Sequence, residues 1–594
     1  RAIPNQSPIT ALKMTFFGGS MHNSPNSRSF YLRFIALSLL VSLFLGACQP
    51  FANTSPDPQR AMLPPTATAT TAPTQTPAPI PSILWLDPVL PADFLKKVKV
   101  PEGVSTTKKQ DEANIFLTAG NPPKGSALLG ETWLTYALAA PFFTVQDDIS
   151  LADLRTIARG AQPKGMPTTL NAILVRNQDS AVLARVLSLS SSLSARNGFS
   201  QIADEFFRPG VKPQAGTWAV LPFELLTPQW KVISIGEKSP LDDDFEPEST
   251  PLTQRITLST TIADASLTEE ELSALLPAPN RDHSQLTSLI MSGVTAMARD
   301  TAFVMSTEGV LFPGTEIRDF MRAADLTHIS NEVSFYEGCP FPDPDYTGYI
   351  FCSDPEYIDL LDDLGADIIE LTGNHNNDVR ALYKVDSVPF TLDLYREYGM
   401  QWYAGGVNIT DAKAPLLIEH NGNKLAFIGC NSYGPDMAWA TEESSGAAPC
   451  ENFGWITEEV TRLRGQGYLP IVTFQYQEDY LVAAQSSAIR DFRPLADAGA
   501  VIVNGSQSHV AKAMEFWNNG FIHYGLGNLF FDQPEFYITY DGIIQKHFFY
   551  QGRHISTQLL TITLQETAKP RLMTPEERQK FLNGLFETSS LLKE

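Results

Sequence analysis

The sequence predicts an α/β fold in two parts, a smaller α/β domain over residues 83–245 and a larger one over residues 286–565. With 594 residues, the chain is too long for a single hydrophobic core. Short apolar runs alternate with helical patterns in both segments, and that alternation is typical of βα units. In the larger segment, polar clusters follow directly after the apolar runs. Because ligands of α/β sheets bind outside the carboxyl ends of the strands, these clusters contain the candidate functional residues.

The segment before the smaller domain has the pattern of an export signal. Arg28 and Arg33 precede the apolar run 34–45, which is followed by Gly, Ala and Cys48. A basic start, a short apolar stretch and small residues are typical of a secretory signal peptide, whereas a membrane-spanning helix needs ~20 apolar residues. The Leu-Gly-Ala-Cys sequence resembles a bacterial lipobox, which implies a lipid-modified Cys48 as the mature N-terminus. The alternative is a buried helix with an incidental cysteine.

Residues 1–47 are therefore predicted to be a lipoprotein signal peptide, with the stretch before Met21 a candidate for mis-annotated upstream sequence. Residues 48–82 are rich in Pro, Thr and Ala, a composition that favours an extended tether because it has little to bury. We expect an extracytoplasmic protein held at a membrane by a lipid anchor, and the sequence leaves inner and outer membrane open. The formal net charge of −23 argues against a nucleic-acid partner, since phosphate binding needs a basic surface.

Four further cysteines lie in the larger segment: Cys339, Cys352, Cys430 and Cys450. In an exported protein an even number of cysteines predicts disulfides, and four cysteines allow three pairings. Pairing of nearest neighbours would close two loops. A zinc site built from all four is the alternative, but no C-x-x-C pair supports it.

The smaller segment contains strand-like runs such as "ANIFLTAG" and "TWAVLPFELL" and the helical stretch "SLADLRTIARG", with Ser150 as its N-cap. The order of these elements resembles a lobe of periplasmic solute-binding proteins of the phosphate-binding type. An unrelated α/β domain is the alternative, and no convergent set of ligand-binding side chains can be picked out. Residues 246–285 are acidic and polar, and they are predicted to be a connector with one helix.

Three strand-end motifs mark the larger segment. They are "SNEVSF", with Glu332; "ELTGNHNND", with Asn374, His375 and Asp378; and "GSQSHV", with His509. In this order, and together with "YGLGNLFFD" near the end, they resemble the CapA family of capsule and poly-γ-glutamate synthesis proteins. The resemblance implies a metallophosphatase-like α/β/β/α sandwich over residues 286–565, followed by a helical tail over residues 566–594.

The resemblance also implies a metal site whose usual ligands are partly replaced. Val294 stands where the family has an aspartate, Gln475 where it has a histidine, and Ser506 and Gln507 where it has two more. A binuclear site needs roughly six or seven ligands around two metal ions ~3.5–4 Å apart. The remaining candidate ligands, with Asp378 or Glu478 beside them, are Glu332, Asn374, His375 and His509. This set predicts at most one divalent ion, of Mn, Fe or Zn, because amides replace carboxylate and imidazole poorly.

Each of these residues also has a structural interpretation. Asn374 and His375 can cap a turn, Glu332 can form a salt bridge, and Asp378 can serve as an N-cap or in an Asx turn. The remaining histidines on apolar strands are predicted to be hydrogen-bonded core residues; they are His328, His523 and His547.

Three functions compete. The first is a surface-anchored protein of capsule, poly-γ-glutamate or exopolysaccharide biosynthesis or export, which binds an extracellular polymer or a capsule-synthesis partner protein. The second is a metal-dependent hydrolase of phosphoester or polymer linkages, with His375 paired to Asp378 as the acid/base element. The third is an extracellular binding module. The replaced ligands favour the first function over the second.

Overall fold

The computed structural model describes residues 81–592, apart from residues 162, 164–169, 190–192, 194–198, 203, 208–210, 263–266 and 347. The predicted signal peptide, the predicted lipidation site Cys48 and most of the predicted tether lie outside the described residues. Within them, no helix combines the length and the apolar character that crossing a membrane requires. The described residues belong to one compact unit.

The first part of this unit is built on a mixed sheet. Its strands are β1 (Ser82–Leu86), β2 (Val104–Thr107), β3 (Ile115–Ala119), β4 (Ala127–Pro141), β5 (Asp148–Ile149), β6 (Ala172–Arg176), β7 (Phe199–Ile202), β8 (Thr217–Pro222), β9 (Trp230–Ile235) and β10 (Thr253–Thr260). The helices are α1 (Ala92–Leu95), α2 (Leu151–Ala158), α3 (Ser180–Val186) and α4 (Glu269–Leu275). The order across the sheet is β2-β1-β3-β10-β4-β8-β6-β7, and β9 pairs with β4 and β5. Helix α2 begins at the predicted N-cap, because the Ser150 hydroxyl accepts a 3.0 Å hydrogen bond from the Asp153 amide.

Strand β10 corrects the prediction of a connector over residues 246–285. It lies in the middle of the first sheet, antiparallel to both β3 and β4. Ile256 and Leu258 are fully buried on its core face. These are the only aliphatic residues in the strand. Its alternation of apolar and polar residues is therefore too short to indicate a strand within an acidic, polar segment. The smaller domain therefore extends at least to Thr260.

The second part contains two larger sheets. One consists of β11 (Leu286–Thr295), β12 (Leu326–Asn331), β13 (Ile368–Glu370), β14 (Gln401–Tyr403), β23 (Asn528–Phe530), β24 (Asp541–Tyr550), β25 (Arg553–Gln565) and β26 (Lys569–Leu572), in the order β14-β13-β12-β11-β24-β25-β26 with β23 beside β11. The other consists of β16 (Leu416–His420), β17 (Asn423–Asn431), β19 (Leu469–Gln475), β20 (Ile502–Asn504), β21 (Met514–Trp517) and β22 (Gly520–His523), in the order β16-β17-β19-β20-β22-β21. Two short strands, β15 (Gly405–Gly406) and β18 (Gly446–Ala447), form a small ladder.

Helices surround these two sheets. They are α5 (Arg299–Glu308), α6 (Arg318–Met321), α7 (Ile358–Asp363), α8 (Asp378–Tyr383), α9 (Val388–Glu397), α10 (Ile409–Ala412), α11 (Gly454–Gly465), α12 (Ser486–Asp497) and α13 (Pro575–Ser590). Apolar side chains of α5, α7 and α9 pack on the sheet that contains β11. Those of α11 and α12 pack on the sheet that contains β19.

The inner faces of the two sheets form the central core. Met291 and Phe549 of one sheet pack with Phe427 and Ile471 of the other. The resulting layers are helix, sheet, sheet and helix, which confirms the α/β/β/α sandwich predicted for the larger segment. The smaller part joins it through an apolar contact, in which the Phe223 and Tyr550 rings lie 5.0 Å apart.

Local sequence signals account for some of these elements but not for all. Asn421 and Gly422 form the turn between β16 and β17 with φ values of 47° and 74°. Two positive φ angles are what a two-residue type I′ hairpin requires. The stretch "GTEIRDFMRAA" has a helical pattern, but the chain forms a 3₁₀ turn at Phe312–Gly314 and is α-helical only over Arg318–Met321.

Both pairs of neighbouring cysteines are bonded. Cys339 is joined to Cys352 and Cys430 to Cys450, with Cα atoms 5.8 Å and 5.0 Å apart. The first bond closes a surface loop after β12, and the second ties β17 to the loop before α11. Among the three pairings that four cysteines allow, this is the nearest-neighbour one, and the bonded sulfurs are not available to a zinc ion.

Candidate metal centre

The candidate site residues come from strand ends of both sheets of the sandwich. Glu332 follows β12, and His375 lies shortly after β13. Glu478 and His509 follow β19 and β20 of the other sheet. Because parallel strands bring their carboxyl ends to one edge of a sheet, side chains that are far apart in sequence meet here.

Three of these groups converge closely. Glu332, Glu478 and His509 each offer a ligand atom, and the three atoms lie within 4.8 Å of one another. His375 lies beside them, with its Nε2 atom 3.9 Å from Glu332 Oε1. Zinc bonds to nitrogen and oxygen are ~2.0–2.2 Å long, so two ligands of one ion are at most ~4.4 Å apart. The spacing therefore fits a single divalent cation after small side-chain movements.

The two imidazoles are each held through Nδ1. His375 Nδ1 is 2.6 Å from Asp378 Oδ2, and His509 Nδ1 is 2.9 Å from Asn528 Oδ1. These oxygens are acceptors, so each Nδ1 carries a proton, and in the neutral ring Nε2 keeps a lone pair on the side of the carboxylates. Metal-binding histidines usually have this arrangement, in which an outer oxygen orients the ring.

The electrostatics favour a positive charge at this point. Glu332 is 1% exposed, and neither of its carboxylate oxygens has a hydrogen-bond partner among the described residues. Burial raises the pKa of Glu332, and the imidazoles of His375 and His509 oppose that rise. Burial alone lowers the pKa of His375, but the hydrogen bond to Asp378 and the charge of Glu332 outweigh it, so the pKa is raised. An unsatisfied buried polar group costs ~1–3 kcal/mol, which a bound cation would offset.

Two amide side chains turn toward Glu478. Asn374 Nδ2 and Gln475 Nε2 donate hydrogen bonds to Glu478 Oε1 over 3.4 Å and 3.1 Å. Their own oxygens, Asn374 Oδ1 and Gln475 Oε1, are buried without a hydrogen-bond partner in the described part of the chain. The sequence motifs name Glu478 only as a neighbour of the ligand set, because it lies in a loop after β19 whose path depends on tertiary packing.

The position of the replaced aspartate belongs to an apolar wall. Val294 is fully buried in a cluster with Val333, Phe351 and Phe531. The Phe351 ring lies 4.6 Å from the His375 ring, and the Phe531 ring lies 5.2 Å from the His509 ring. Hydrocarbon groups provide no ligand for a second ion on this side of the imidazoles, so the geometry fits one ion better than two.

The residues that replace the two histidines form hydrogen bonds in the interior of the sandwich. Ser506 Oγ donates a hydrogen bond to Glu370 Oε1, and Gln507 Nε2 donates one of 2.7 Å to Ser330 Oγ. All four residues are almost completely buried. These side chains therefore connect the two sheets beneath the candidate centre.

The three predicted core histidines are fully buried and hydrogen-bonded. His328 Nε2 lies 2.8 Å from the Tyr403 hydroxyl, and His547 Nδ1 lies 2.9 Å from Thr557 Oγ1. His523 is bonded at both ring nitrogens. Their interpretation as core residues is confirmed.

The larger of the two predicted domains is similar to known capsule synthesis proteins. The family described as "Bacterial capsule synthesis protein PGA_cap" matches residues 288–533. The "Capsule biosynthesis protein CapA" of Bacillus anthracis is 21% identical over 322 residues, which cover 53% of this chain and 77% of that protein. The "PGA biosynthesis protein CapA" of Bacillus subtilis is 23% identical over 193 residues, which cover 32% of this chain and 50% of that protein.

Solved structures show more distant similarity. A putative 5'-nucleotidase from Staphylococcus aureus shares 10% identity at a TM-score of 0.30, over 51% of this chain and 58% of that one. An ABC-type phosphate transport receptor from Vibrio cholerae shares 13% identity at a TM-score of 0.24, over 29% of this chain and 81% of that one. The description of the fold therefore rests on the sheet topology of the chain itself.

Proposed function

We propose that this chain, whose residues 288–533 match the bacterial capsule synthesis protein PGA_cap family, takes part in the biosynthesis or export of a capsule polymer. The polymer is capsular polysaccharide, poly-γ-glutamate or another exopolysaccharide. The protein acts outside the cytoplasm, anchored to a membrane by a lipid on Cys48. Its partners are the extracellular polymer and other capsule-synthesis proteins.

The family match is the observation that carries this proposal. The matched residues include the whole candidate metal centre, from Glu332 to Asn528. The two disulfides support an extracytoplasmic location, because such bonds persist in oxidising compartments. The names of the two Bacillus relatives supply the capsule and poly-γ-glutamate context.

Deletion of the gene is expected to lower the amount of cell-bound polymer, and the wild-type gene is expected to restore it. The variant Cys48→Ala lacks the sulfur that would carry the lipid, so its product is expected in the medium rather than in the membrane fraction. Ser55→Ala, in the same tether, serves as the matched control. Polymer is measured by composition analysis of washed cells. An unchanged polymer level in the deletion strain would refute the proposed function, and a membrane-bound Cys48→Ala product would refute the anchor.

A metal-dependent hydrolase is the second candidate function, favoured by the convergence of Glu332, Glu478 and His509. Together with His375, these residues would hold one Mn, Fe or Zn ion beside Asn374. Such an ion would supply Lewis-acid chemistry at a phosphoester or polymer linkage. Asp378 holds the His375 ring through Nδ1, so this pair can orient a ligand or hold a proton near Nε2.

The purified protein is expected to retain about one equivalent of Mn, Fe or Zn after gel filtration, since one set of ligands is present. His509→Ala removes an imidazole of the set and is expected to lose most of the metal. His283→Ala changes an exposed histidine outside the centre and is the control. Metal content is measured by mass spectrometry, and phosphoester hydrolysis is measured on the same samples. A folded, metal-free wild-type protein would refute the site, and bound metal without hydrolysis would refute a phosphoesterase.

A further inference from the structure

A cavity of about 580 Å³ adjoins the candidate metal centre. Its walls come from the loop closed by the Cys339–Cys352 disulfide, from α5 and from the end of α8. Large apolar side chains at its mouth are exposed to solvent, among them Phe341 at 72% and Leu382 at 51%. Soluble proteins seldom expose such groups together without a ligand or partner to cover them.

The aromatic side chains around this cavity lie on a disulfide-closed loop and on two helices. The disulfide closes the loop that carries Phe341 and Tyr346. The Phe341 ring lies 6.4 Å from Phe303 on α5, and the Tyr336 ring lies 5.5 Å from Tyr383 at the end of α8. Closure of the loop by the disulfide restricts its backbone before a ligand arrives, which lowers the conformational entropy lost on binding.

The cavity and the metal centre share a wall. Phe351 lines the cavity, and its ring lies 4.6 Å from the His375 ring. The Phe351 amide also donates a 2.9 Å hydrogen bond to Asp378 Oδ2, the oxygen that holds His375. The Phe351 side chain therefore separates a molecule seated in the cavity from the convergent carboxylates and imidazoles.

The charges of the cavity repel anions. Three carboxylates line it, from Asp343, Asp354 and Glu356, and Glu332 and Glu478 lie in the adjoining centre. Of the described residues that line the cavity, Arg299 is the basic one. Its guanidinium already faces Asp532 at 3.3 Å and Glu535 at 3.6 Å. A polyanion such as poly-γ-glutamate would meet like charges here without a counter-charge, which costs binding energy.

We propose that this cavity binds a segment of an uncharged polysaccharide. Sugar rings have apolar C–H faces, which pack on the exposed aromatic rings, and hydroxyl groups, which donate hydrogen bonds to the lining carboxylates. The inference rests on the proposed function in capsule-polymer assembly and names the class of polymer. It assigns a neutral glycan rather than poly-γ-glutamate to this cavity.

The test is binding of the purified protein to a panel of uncharged glycans (dextran, galactomannan and glucomannan), with poly-γ-glutamate and an apolar peptide as competing classes. At least one glycan is expected to bind, with little change in affinity between low and high salt. Phe341→Ala and Tyr346→Ala are each expected to weaken this binding about 10-fold, because each removes one stacking surface. Phe206→Ala, at an exposed aromatic residue of the smaller domain, is expected to leave it unchanged.

The outcomes separate this inference from the proposed function. Binding of poly-γ-glutamate that falls steeply with salt and is lost in Phe341→Ala overturns the inference, while capsule assembly stands. Binding of the apolar peptide alone, or of no glycan in the panel, also overturns it. Failure of the proposed function is seen separately, as an unchanged polymer level in the deletion strain. Circular dichroism of each variant shows that the fold is retained.

Discussion

At about pH 5 the protein is expected to be less stable than at neutral pH, by roughly 6 kcal/mol before compensating protonations. His328, His523 and His554 are buried, and burial lowers the pKa of each from 6.5 to about 3. Between pH 6.5 and about pH 3, these imidazoles are protonated in the unfolded chain but neutral in the folded chain. Stability is therefore lost as the pH falls through 6.5, at about 2 kcal/mol for each ring by pH 5.

Burial lowers the pKa of His523, and the hydrogen bond from Gln545 acts in the same direction. His523 Nε2 donates to the Lys512 carbonyl over 3.0 Å, so its Nδ1 accepts from Gln545 Nε2 over 2.7 Å. Gln545 Oε1 in turn accepts a 3.0 Å hydrogen bond from Asn504 Nδ2. A second proton on the ring would place the Nδ1 donor against the Gln545 Nε2 donor.

Some carboxyl groups oppose this effect. Burial raises the pKa of Glu370 and of Asp532. Each therefore takes up a proton more readily in the folded chain, and its contribution to stability grows as the pH falls toward its raised pKa. We expect a net loss of stability between neutral pH and pH 5, because the unfolded-state pKa of histidine lies within this range, whereas a carboxyl group contributes only as the pH approaches its raised pKa.

Urea unfolding at a series of pH values measures this loss. His523→Gln keeps hydrogen-bonding groups at the position but does not titrate, so we expect a smaller loss of stability between neutral pH and pH 5. His283→Gln, at an exposed histidine, is the matched control and is expected to behave like the wild type. Stability that rises toward pH 5, or equal losses in both variants, would show that the buried histidines do not set the acid response.

In the absence of metal, Glu332→Gln is expected to stabilise the protein by about 1–3 kcal/mol while abolishing its response to divalent ions. Glu332 is buried without a hydrogen-bond partner among the described residues, and its charge lies near that of Glu478. The amide has nearly the same shape but no charge to desolvate. The same substitution removes the carboxylate that neutralises a bound cation.

Thermal unfolding with and without metal separates the two effects. Addition of Mn, Fe or Zn should raise the Tm of the wild type, because an ion that binds only the folded state stabilises it. The Tm of Glu332→Gln should exceed that of metal-free wild type and stay constant when metal or chelator is added. Glu337→Gln, an exposed change in the same segment, controls for charge alone. A lower metal-free Tm in Glu332→Gln would mean that the carboxylate has partners that stabilise it.

The sandwich fold is largely predictable from the sequence, because its signals are local. The buried strand β19 is mostly apolar, as strands covered on both faces tend to be. The Asn421-Gly422 pair specifies its hairpin through backbone angles that few residues adopt. Strand β10 is not predicted from the sequence, because two aliphatic residues are too weak a pattern to indicate a strand. Its pairing with β3 and β4 is seen only in the tertiary structure.

The candidate site divides in the same way. The motifs alone identify Glu332, Asn374, His375 and His509 and show that Val294, Gln475, Ser506 and Gln507 replace expected ligands. Only the tertiary structure decides that Glu478 completes the cluster and that each imidazole presents Nε2 to it. Only the packing of the sheets turns Val294 into part of an apolar wall. The reason is physical: residue types and turns are local properties, whereas convergence within a few ångströms depends on how two sheets, formed by distant segments, align their strand ends.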